Sequence, residues 1–389
     1  MRVLRIIASV DPAQGGPVEA LRHSAKAQAA LGIETDVLCL DEQTSPHALC
    51  FPARVFGLGP VQHRYGYTPR LGMWMRQHAA AYDAAVIHGL WNHASVAGGQ
   101  AAIRAGLPHL VFTHGMLDPW FRAAYPAKHA LKQAFWATYQ GRVLARAHKV
   151  LFTSGEEQRL AEGMFRMWPY RGHVVPYGAA QPGSRDRKEG PAAFRAACPG
   201  LGSAPFVLFL SRLHRKKGAD LLVDAFAEIA ARRPDLHLVV AGPDQEGIAK
   251  TLATTAAAVG LGGRVHLPGP LLGCAKWGAL LSAEALALPS HGENFGIILA
   301  EAMACGTPVL TTKRVNIWRE IEAGGAGLVT ENDHAGTVEG LARFLALAPA
   351  AVDGMRRQAR RTYERHFSVS CAAEALAELL QEAAHARRA

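Results

Sequence analysis

The chain has 389 residues, 49% of them hydrophobic and only 19% charged, so it can bury sizeable cores and is not an intrinsically disordered protein. Its 39 glycines and 22 prolines follow no Gly-X-Y period, which excludes a collagen-like fibre. Lys and Arg exceed Asp and Glu by 42 − 32 = +10, and residues 1–183 carry 18 − 11 = +7 of this excess. An anionic partner is therefore expected in the first half of the chain. The alternative is that these charges only form a solvated surface.

Short apolar runs alternate with Ala-rich helical segments along the chain. Six strands are expected in the first half, at Val3–Ala8, Thr35–Leu40, Ala84–His88, Leu110–Thr113, Val150–Thr153 and His173–Pro176. Six more follow, at Phe206–Leu210, His237–Ala241, Val265–Leu267, Ala285–Pro289, Val309–Thr312 and Gly327–Val329. The helices are expected at Val18–Leu31, Asp220–Arg233, Gly296–Cys305, His334–Leu347 and within 351–389. This alternation predicts an α/β fold of parallel sheets with helices on both faces.

One polar, Gly- and Pro-rich stretch, Gln181–Pro205, interrupts the series and has the composition of a linker. It predicts an N-terminal domain over 1–183 and a C-terminal domain over 204–366. Each domain would have a crevice at the carboxyl ends of its strands, and two facing crevices would form a deep cleft.

The N-terminal segment, the lengths of the apolar runs and the cysteines indicate the cellular compartment. The N-terminal run has only a short apolar stretch and reads as a first strand rather than a signal peptide. No run approaches 18 uninterrupted apolar residues, so no membrane span is expected. The six cysteines include no C-x-x-C pair, which indicates neither a zinc site nor a disulfide framework. We therefore expect a cytoplasmic protein.

A glycine pair, Gly15 and Gly16, lies between the first strand and the first helix. Two glycines allow close backbone approach, and the helix that begins near Pro17 presents free N–H groups, as phosphate or acceptor binding requires. The sequence lacks G-x-G-x-x-G, which disfavours a nicotinamide site. A bare turn is the alternative.

Two His-Gly steps, at His88 and His114, each follow an apolar strand. Both imidazoles would lie at the carboxyl ends of strands, where they could donate to a substrate hydroxyl or move a proton. Turn or packing roles are the alternative for either residue. A zinc site would need a third ligand, which the sequence does not place.

A basic turn follows the strand Phe206–Leu210 and contains Arg212 and Lys217. Two fixed cations there can neutralise a diphosphate, and they would stabilise the charge that develops when a nucleoside diphosphate leaves. A solvated basic turn is the alternative.

The most specific motif runs from Pro289 to Val309 and contains Glu293 and Glu301 in an E-x7-E spacing. An ionised carboxylate only accepts hydrogen bonds, so it suits the paired hydroxyls of a sugar or ribose. The backbone N–H groups of Asn294, Phe295 and Gly296 would point at an anion from a helix that begins at about Phe295. A solvated role for Glu301 is disfavoured because its neighbours are apolar.

The run Pro289–Val309 resembles the signature of the retaining GT-B glycosyltransferases of family 4, the glycosyl transferases group 1 set. Ser211–Gly218 resembles the S-R-L-x-x-x-K-G element of that family, and Gly15-Gly16 and His114-Gly115 match its N-domain elements. Val174–Gly178 resembles its V-I-P-N-G-V element, with Tyr177 in place of the usual Asn. Two further stretches are similar to bacterial enzymes that assemble exopolysaccharide or lipopolysaccharide: His114–Trp120 and Val315–Glu320.

The resemblance implies two Rossmann-like domains, with a C-terminal helix from about Phe367 that packs back onto the first. It implies roles for these residues: the diphosphate at Arg212 and Lys217, the ribose at Glu301, the donor sugar at Glu293, the donor loop at Asn294, Phe295, Gly296 and Ile297, and the transferred sugar near His114. Glu293 and His114 would be the catalytic residues, while Gly15, Gly16, His88 and also His114 would serve the acceptor or a phosphate. Members of the family typically need no metal or other cofactor.

The implied activity is transfer of a hexose from a nucleotide-diphosphate sugar to a hydroxyl of a glycan or a polyprenyl-diphosphate-linked acceptor. Such an acceptor would bring the protein to the anionic inner face of the cytoplasmic membrane, and no nucleic-acid partner is expected. Two alternatives stay open: a nucleotide-sugar epimerase or phosphorylase of the same fold, and a non-catalytic basic protein that binds a membrane or a nucleic acid. The sugar, the nucleobase and the acceptor are not predicted.

Overall fold

Two parallel sheets organise the chain in the computed structural model, which describes residues 1–388. By its internal contacts the chain forms two units, one of Met1–Gly178 together with the segment from Val369 onward, the other of Ala179–Ser368. Both sheets pair only in parallel within the described residues. The predicted α/β class with two parallel-sheet domains is confirmed.

The first unit holds seven strands in the order β3-β2-β1-β4-β5-β6-β7. Its strands are β1 Arg2–Ile6, β2 Glu34–Cys39, β3 Arg54–Gly57, β4 Ala84–His88, β5 His109–Phe112, β6 Lys149–Phe152 and β7 Gly172–Val174. Its helices are α1 Gly16–Ala30, α2 Pro46–Leu49, α3 Pro69–His78, α4 His93–Arg104, α5 Trp120–Ala124, α6 Pro126–Phe135, α7 Gly141–Ala145, α8 Gly155–Ala161 and, at the end of the chain, α17 Val369–Arg388.

The second unit holds six strands in the order β10-β9-β8-β11-β12-β13. They are β8 Phe206–Leu210, β9 His237–Ala241, β10 Val265–Gly269, β11 Ala285–Leu288, β12 Val309–Thr312 and β13 Gly327–Thr330. The helices are α9 Ser184–Ala197, α10 Ala219–Ile229, α11 Ala249–Ala258, α12 Gly273–Ser282, α13 Ile297–Ala304, α14 Trp318–Ala323, α15 His334–Leu345 and α16 Pro349–His366.

Burial explains why these segments form parallel sheets. Every residue of β4, β5, β8 and β11 is buried, as expected of central strands covered by helices on both faces. On the first sheet one face packs in a core that includes Leu4 and Ile6. The opposite face contributes Val3 to a second core, to which α17 adds Leu376 and Leu380.

Two sequence expectations are corrected. Gln181–Pro205 is not a linker: most of it forms α9, which lies in the second unit and packs on α12, where Gly190 and Gly278 bring the two backbones into contact. The strand β3 was not predicted, because Arg54–Gly57 is a four-residue edge strand without a continuous apolar run.

Candidate functional site

Each sheet has one position where the strand order reverses, between β1 and β4 in the first unit and between β8 and β11 in the second. At such a point the loops that leave the carboxyl ends of two adjacent strands diverge and open a crevice, which is where ligands bind in open α/β sheets. The residues singled out in the sequence follow these strands or their neighbours.

In the first unit, Gly15 and Gly16 stand at the start of α1. Gly15 has a left-handed φ of 83°, and an added Cβ at either glycine would meet no atom within 4 Å. The backbone of this helix start is therefore accessible to a ligand. Asp11 caps the short 3-10 turn that precedes it, since its side chain accepts from the N–H of Ala13 at 2.9 Å.

His88 and His114 come together, as their positions at the ends of β4 and β5 predict. Nδ1 of His88 lies 3.1 Å from Nε2 of His114, and the two rings stack with their centroids 5.3 Å apart. Nδ1 of His114 in turn hydrogen-bonds the hydroxyl of Tyr177. Both ring nitrogens of His114 are thus engaged within the first unit. A ring hydrogen bond from His114 to a sugar would have to replace one of these contacts.

Burial keeps the hydrogen-bonded side chains of His88, His114 and Tyr177 uncharged. It lowers the pKa of His114 to about 3. Burial, then His114 and Arg5, lower the pKa of His88 well below its ordinary value. Burial and, second, Glu157 raise the pKa of the Tyr177 hydroxyl well above its ordinary value. At neutral pH both imidazoles are therefore hydrogen-bonding groups rather than acids.

No sequence motif marks Glu157, which holds in place the loop that carries His114. One carboxylate oxygen accepts from the N–H of Gly115 and the hydroxyl of Thr113, both at 2.7 Å. The other accepts from the N–H of Thr153 at 2.6 Å. One buried carboxylate thereby ties together the carboxyl ends of β5 and β6.

In the second unit, Lys217 and Glu293 form an ion pair between the turn after β8 and the loop after β11. Lys217 closes the 3-10 turn Arg215–Lys217 and is buried. Gly218 follows in the left-handed region at φ 72°, and a Cβ there would overlap the backbone of Pro289, so the approach of the two loops requires glycine. The loops at the strand-order reversal of this unit therefore bring one cationic and one anionic side chain into contact.

The loop of Glu293 is anchored to the segment after β12. The N–H of Glu293 donates to the carbonyl of Arg314, and the N–H of Asn316 donates to the carbonyl of Glu293, both at 3.0 Å. The Asn316 amide also reaches the Oδ1 of Asn294 at 3.5 Å. Phe295 is buried, with its ring edge-on to Phe367.

The helix after this loop begins later than the sequence suggested. Its first residue is Ile297, not Phe295, because Gly296 stands before it with a left-handed φ of 72°. The free N–H groups of the helix therefore start at Ile297, and Asn294, Phe295 and Gly296 belong to the loop that leads into it.

Glu301 lies on α13, is only 7% exposed, and accepts from the ammonium of Lys276 on α12 at 2.6 Å. Arg212 is exposed and donates to the side chain of Gln245 at 3.1 Å. Sequence reasoning missed Lys276, which no motif marks. The structure thus brings Lys217 and Glu293 into contact, while Glu301 and Arg212 have other partners.

Two further observations concern metals and membranes. Within residues 1–388, no group of three His, Cys, Asp or Glu side chains is arranged to hold a metal ion. In the same part of the chain no single helix has the length and hydropathy to cross a membrane. One pair, α15 with α16, passes that test jointly, but it is bent by 111°.

Two family models match most of the chain. Residues 15–178 match "Glycosyl transferase 4-like domain", and residues 199–365 match "Glycosyl transferases group 1". Among curated proteins, the chain is similar to a D-inositol 3-phosphate glycosyltransferase of Rhodococcus erythropolis, at 29% identity over 254 residues, or 62% of this chain and 55% of the relative. The chain spans about half the length of the curated relatives it matches.

Solved structures extend the similarity to nearly the whole chain. A sucrose-phosphate synthase from Thermosynechococcus elongatus matches with a TM-score of 0.72 at 21% identity, covering 99% of this chain and 100% of that one. The Anabaena protein HepE, solved in complex with UDP and glucose, matches with a TM-score of 0.73 at 20% identity, covering 98% and 100%. At these identities the similarity establishes a shared fold.

Proposed function

The chain belongs to the group 1 glycosyltransferases, and we propose that it moves a hexose from a nucleotide-diphosphate sugar to a hydroxyl of a glycan or lipid-linked acceptor, with retention at the anomeric carbon and without a metal. The observation that carries the proposal is the Lys217–Glu293 pair at the strand-order reversal of the second unit, with Glu301 about one turn into the helix that follows. This arrangement offers a cation and two carboxylates to one elongated, anionic, polyhydroxyl ligand.

The diphosphate is assigned to Lys217, to the free N–H groups from Ile297, and to the exposed guanidinium of Arg212. Without a ligand, Lys217 neutralises Glu293. When the donor binds, the ammonium turns to the diphosphate, and the released carboxylate of Glu293 accepts from hydroxyls of the sugar. The ion pair therefore keeps both groups in place and balanced until the donor replaces it.

The ribose is assigned to Glu301. Lys276 donates to its Oε1 and thereby fixes the buried carboxylate on α13. Paired ribose hydroxyls are donors that match a fixed carboxylate, so this residue suits the nucleoside rather than the transferred sugar.

The transfer step breaks the bond from the anomeric carbon to the β-phosphate oxygen and forms one to the acceptor oxygen on the same face. The leaving diphosphate oxygen takes the acceptor proton, so no protein group has to change its charge. Lys217, Arg212 and the helix start stabilise the negative charge as it develops. His114, neutral at working pH, contributes orientation through its loop, which Glu157 holds in place.

The acceptor side is assigned to a surface on α5 and α6, and its partner to an anionic lipid bilayer. Nine consecutive residues, Trp120–Lys128, are exposed, and Trp120, Phe121 and Tyr125 are among them. Between residues 119 and 155 the sequence has six Lys or Arg and no Asp or Glu. Aromatic rings beside an excess of cations are suited to the headgroup region of such a bilayer.

Donor binding is tested by calorimetry with UDP, GDP, ADP and their common sugar conjugates. We expect one nucleotide to bind, and Glu301→Ala to weaken it about 10- to 100-fold, as loss of hydrogen bonds to a charged group implies. The matched control is Glu331→Ala, which removes an exposed carboxylate paired with Lys313 in the same unit. If no nucleotide binds, the proposal fails.

A product assay separates transfer from the related reactions. Sugar released from the donor only when an acceptor hydroxyl is present supports transfer, and the configuration of the new bond tests retention. Donor consumed without an acceptor would instead identify an epimerase, and dependence on inorganic phosphate a phosphorylase. A chelator should leave the rate unchanged; a rate restored only by added metal would contradict the metal-free proposal.

Membrane binding is tested by cosedimentation with phosphatidylglycerol vesicles, using phosphatidylcholine vesicles as the reference. The double variant Trp120→Ser with Phe121→Ser should lose most of the binding, while Val259→Ser, a change at a comparably exposed residue of the second unit, should not. Equal binding by both variants would exclude α5 as the contact.

A further inference from the structure

Arg5 is a fully buried arginine in the middle of β1. Its Nη2 donates to Oε1 of Gln28 at 2.5 Å and to the hydroxyl of Ser24 at 3.2 Å, both on α1. Among the described residues no carboxylate forms an ion pair with it. A buried cation that is balanced only by neutral oxygens is costly, because desolvation is not offset by an opposite charge.

Three buried nitrogens around this guanidinium have no hydrogen-bond partner: Nε of Arg5, Nε2 of Gln28 and Nε2 of His88. The first two carry hydrogens. The third carries one in the tautomer in which Nδ1 of His88 accepts from His114. Unpartnered donors beside a buried cation favour a ligand that accepts hydrogen bonds.

Arg5 and His88 also line one cavity of about 30 Å³, together with Ser24, His114 and Tyr177. This volume holds one water-sized species, and it is too small for a phosphate or a sugar. A monatomic anion in the cavity would accept from Arg5 and His88 and, unlike a water molecule, would neutralise the guanidinium.

We propose that this cavity binds one small monovalent anion of the halide type, chloride in practice, held by Arg5 and by the Nε2–H of His88. The anion then sets the direction of the hydrogen bonds beside it. His88 carries its proton on Nε2, His114 donates from Nε2 to Nδ1 of His88, and the Tyr177 hydroxyl donates to Nδ1 of His114. The test of this site does not depend on the proposed transferase activity.

Thermal unfolding of the full chain in chloride and in gluconate at equal ionic strength tests the site. We expect a Tm about 2 to 6 °C higher in chloride, since a ligand that binds only the folded state stabilises it by mass action. Arg5→Met should abolish the difference. Arg2→Met, on the same strand but partly exposed and paired with Asp36, should keep it.

Bromide and its anomalous scattering provide a second readout that does not depend on a variant that folds. A crystal grown in bromide should show a peak in the cavity between Arg5 and His88. Equal Tm values in the two salts, a chloride effect that survives Arg5→Met, or a cavity without a bromide peak would each overturn the proposal and leave water as the occupant.

Discussion

At the residue scale, Lys217 and Glu293 are the two groups whose charges must be considered together. The Lys217 side chain is 10% exposed and that of Glu293 22%, so removing one partner leaves the other charge poorly solvated. Removing both leaves no orphan charge. Stability and activity should therefore respond differently to single and double substitution at this pair.

We predict that Lys217→Met and Glu293→Gln each lower the transfer rate by about 100- to 1,000-fold, the range for loss of one preorganised electrostatic group. Each single variant should also lower the Tm. The double variant should recover the Tm while its rate stays low. Steady-state kinetics and thermal unfolding of the three proteins measure this.

The exposed pair Lys313–Glu331 in the same unit provides the matched control. Its removal should change neither the rate nor the Tm appreciably, as is typical of surface ion pairs. A double variant at Lys217 and Glu293 that retains the wild-type rate would show that the pair is only structural.

The lowered pKa values of His88 and His114 lead to a prediction about the pH dependence of stability. Burial lowers the pKa of His114 to about 3, and the pKa of His88 is lowered as well, with Arg5 and Tyr177 the groups that face them. In the unfolded chain a histidine titrates near 6.5. Their contribution to stability is thus full above about pH 6.5 and is lost as the pH falls from there towards 3, because only the unfolded chain takes up these protons.

We expect the free energy of unfolding to fall less steeply below about pH 6.5 in His114→Asn than in the wild type. Urea titrations across the acid range measure the slope, in chloride-free buffer so that an anion in the Arg5 cavity does not contribute. His173→Asn, an exposed histidine of the same unit, is the control and should leave the slope unchanged. Parallel slopes for His114→Asn and the wild type would contradict the buried, neutral state.

At the scale of elements, α9 and α12 pack so closely that Gly190 and Gly278 face each other. A Cβ on Gly278 would overlap the carbonyl of Gly190. We predict that Gly278→Ala destabilises the protein by about 1 to 3 kcal/mol through overpacking, measured by urea unfolding.

Gly354 on α16 is the matched helical glycine of the same unit, with only the end of the Arg357 side chain near its position for a Cβ. Gly354→Ala should stabilise by up to about 1 kcal/mol, since alanine is the better helix former. A stabilising effect at both positions would mean that the helices can separate at no cost.

This contact also explains what the sequence could not predict. Buried strands such as Phe206–Leu210 are continuous apolar runs, and their order along the chain predicted the parallel sheets. Ser184–Ala197 is charged and contains Gly190 and Pro191, so its composition predicts a linker, while its helical state depends on packing against α12.

The residues of the candidate site were also predictable only where a local sequence motif marks them. Lys217, Glu293 and Glu301 lie in local motifs that the sequence displays. Lys276 contacts Glu301 from a neighbouring helix, and Glu157 accepts hydrogen bonds from the ends of two different strands. The contacts with Glu301 and with the end of β5 join residues far apart in the sequence, so no local motif could predict them. Arg5 could have been noticed as a charge on the same strand face as the buried Val3.

At the scale of the whole molecule, the two units differ in how the chain builds them. The second is continuous, Ala179–Ser368, whereas the first needs both 1–178 and the segment from Val369. Within the first unit, Leu376, Leu379 and Leu380 of α17 are at most 5% exposed and share a core with Val3 and Val86. Without α17 that core would face water, at a cost well above that of truncating one buried leucine, about 2 to 5 kcal/mol.

We therefore predict that a fragment of residues 179–368 folds alone, unfolds cooperatively and binds the nucleotide of the full chain. A fragment of residues 1–178 should show little cooperative unfolding by circular dichroism until a peptide of residues 369–389 is added. A peptide with Leu376 and Leu380 replaced by Ser is the control and should not restore it. If residues 1–178 unfold cooperatively without the peptide, α17 merely covers a core that is already complete; if they stay unfolded with it, the helix must be joined to the chain to compensate for the entropy of association.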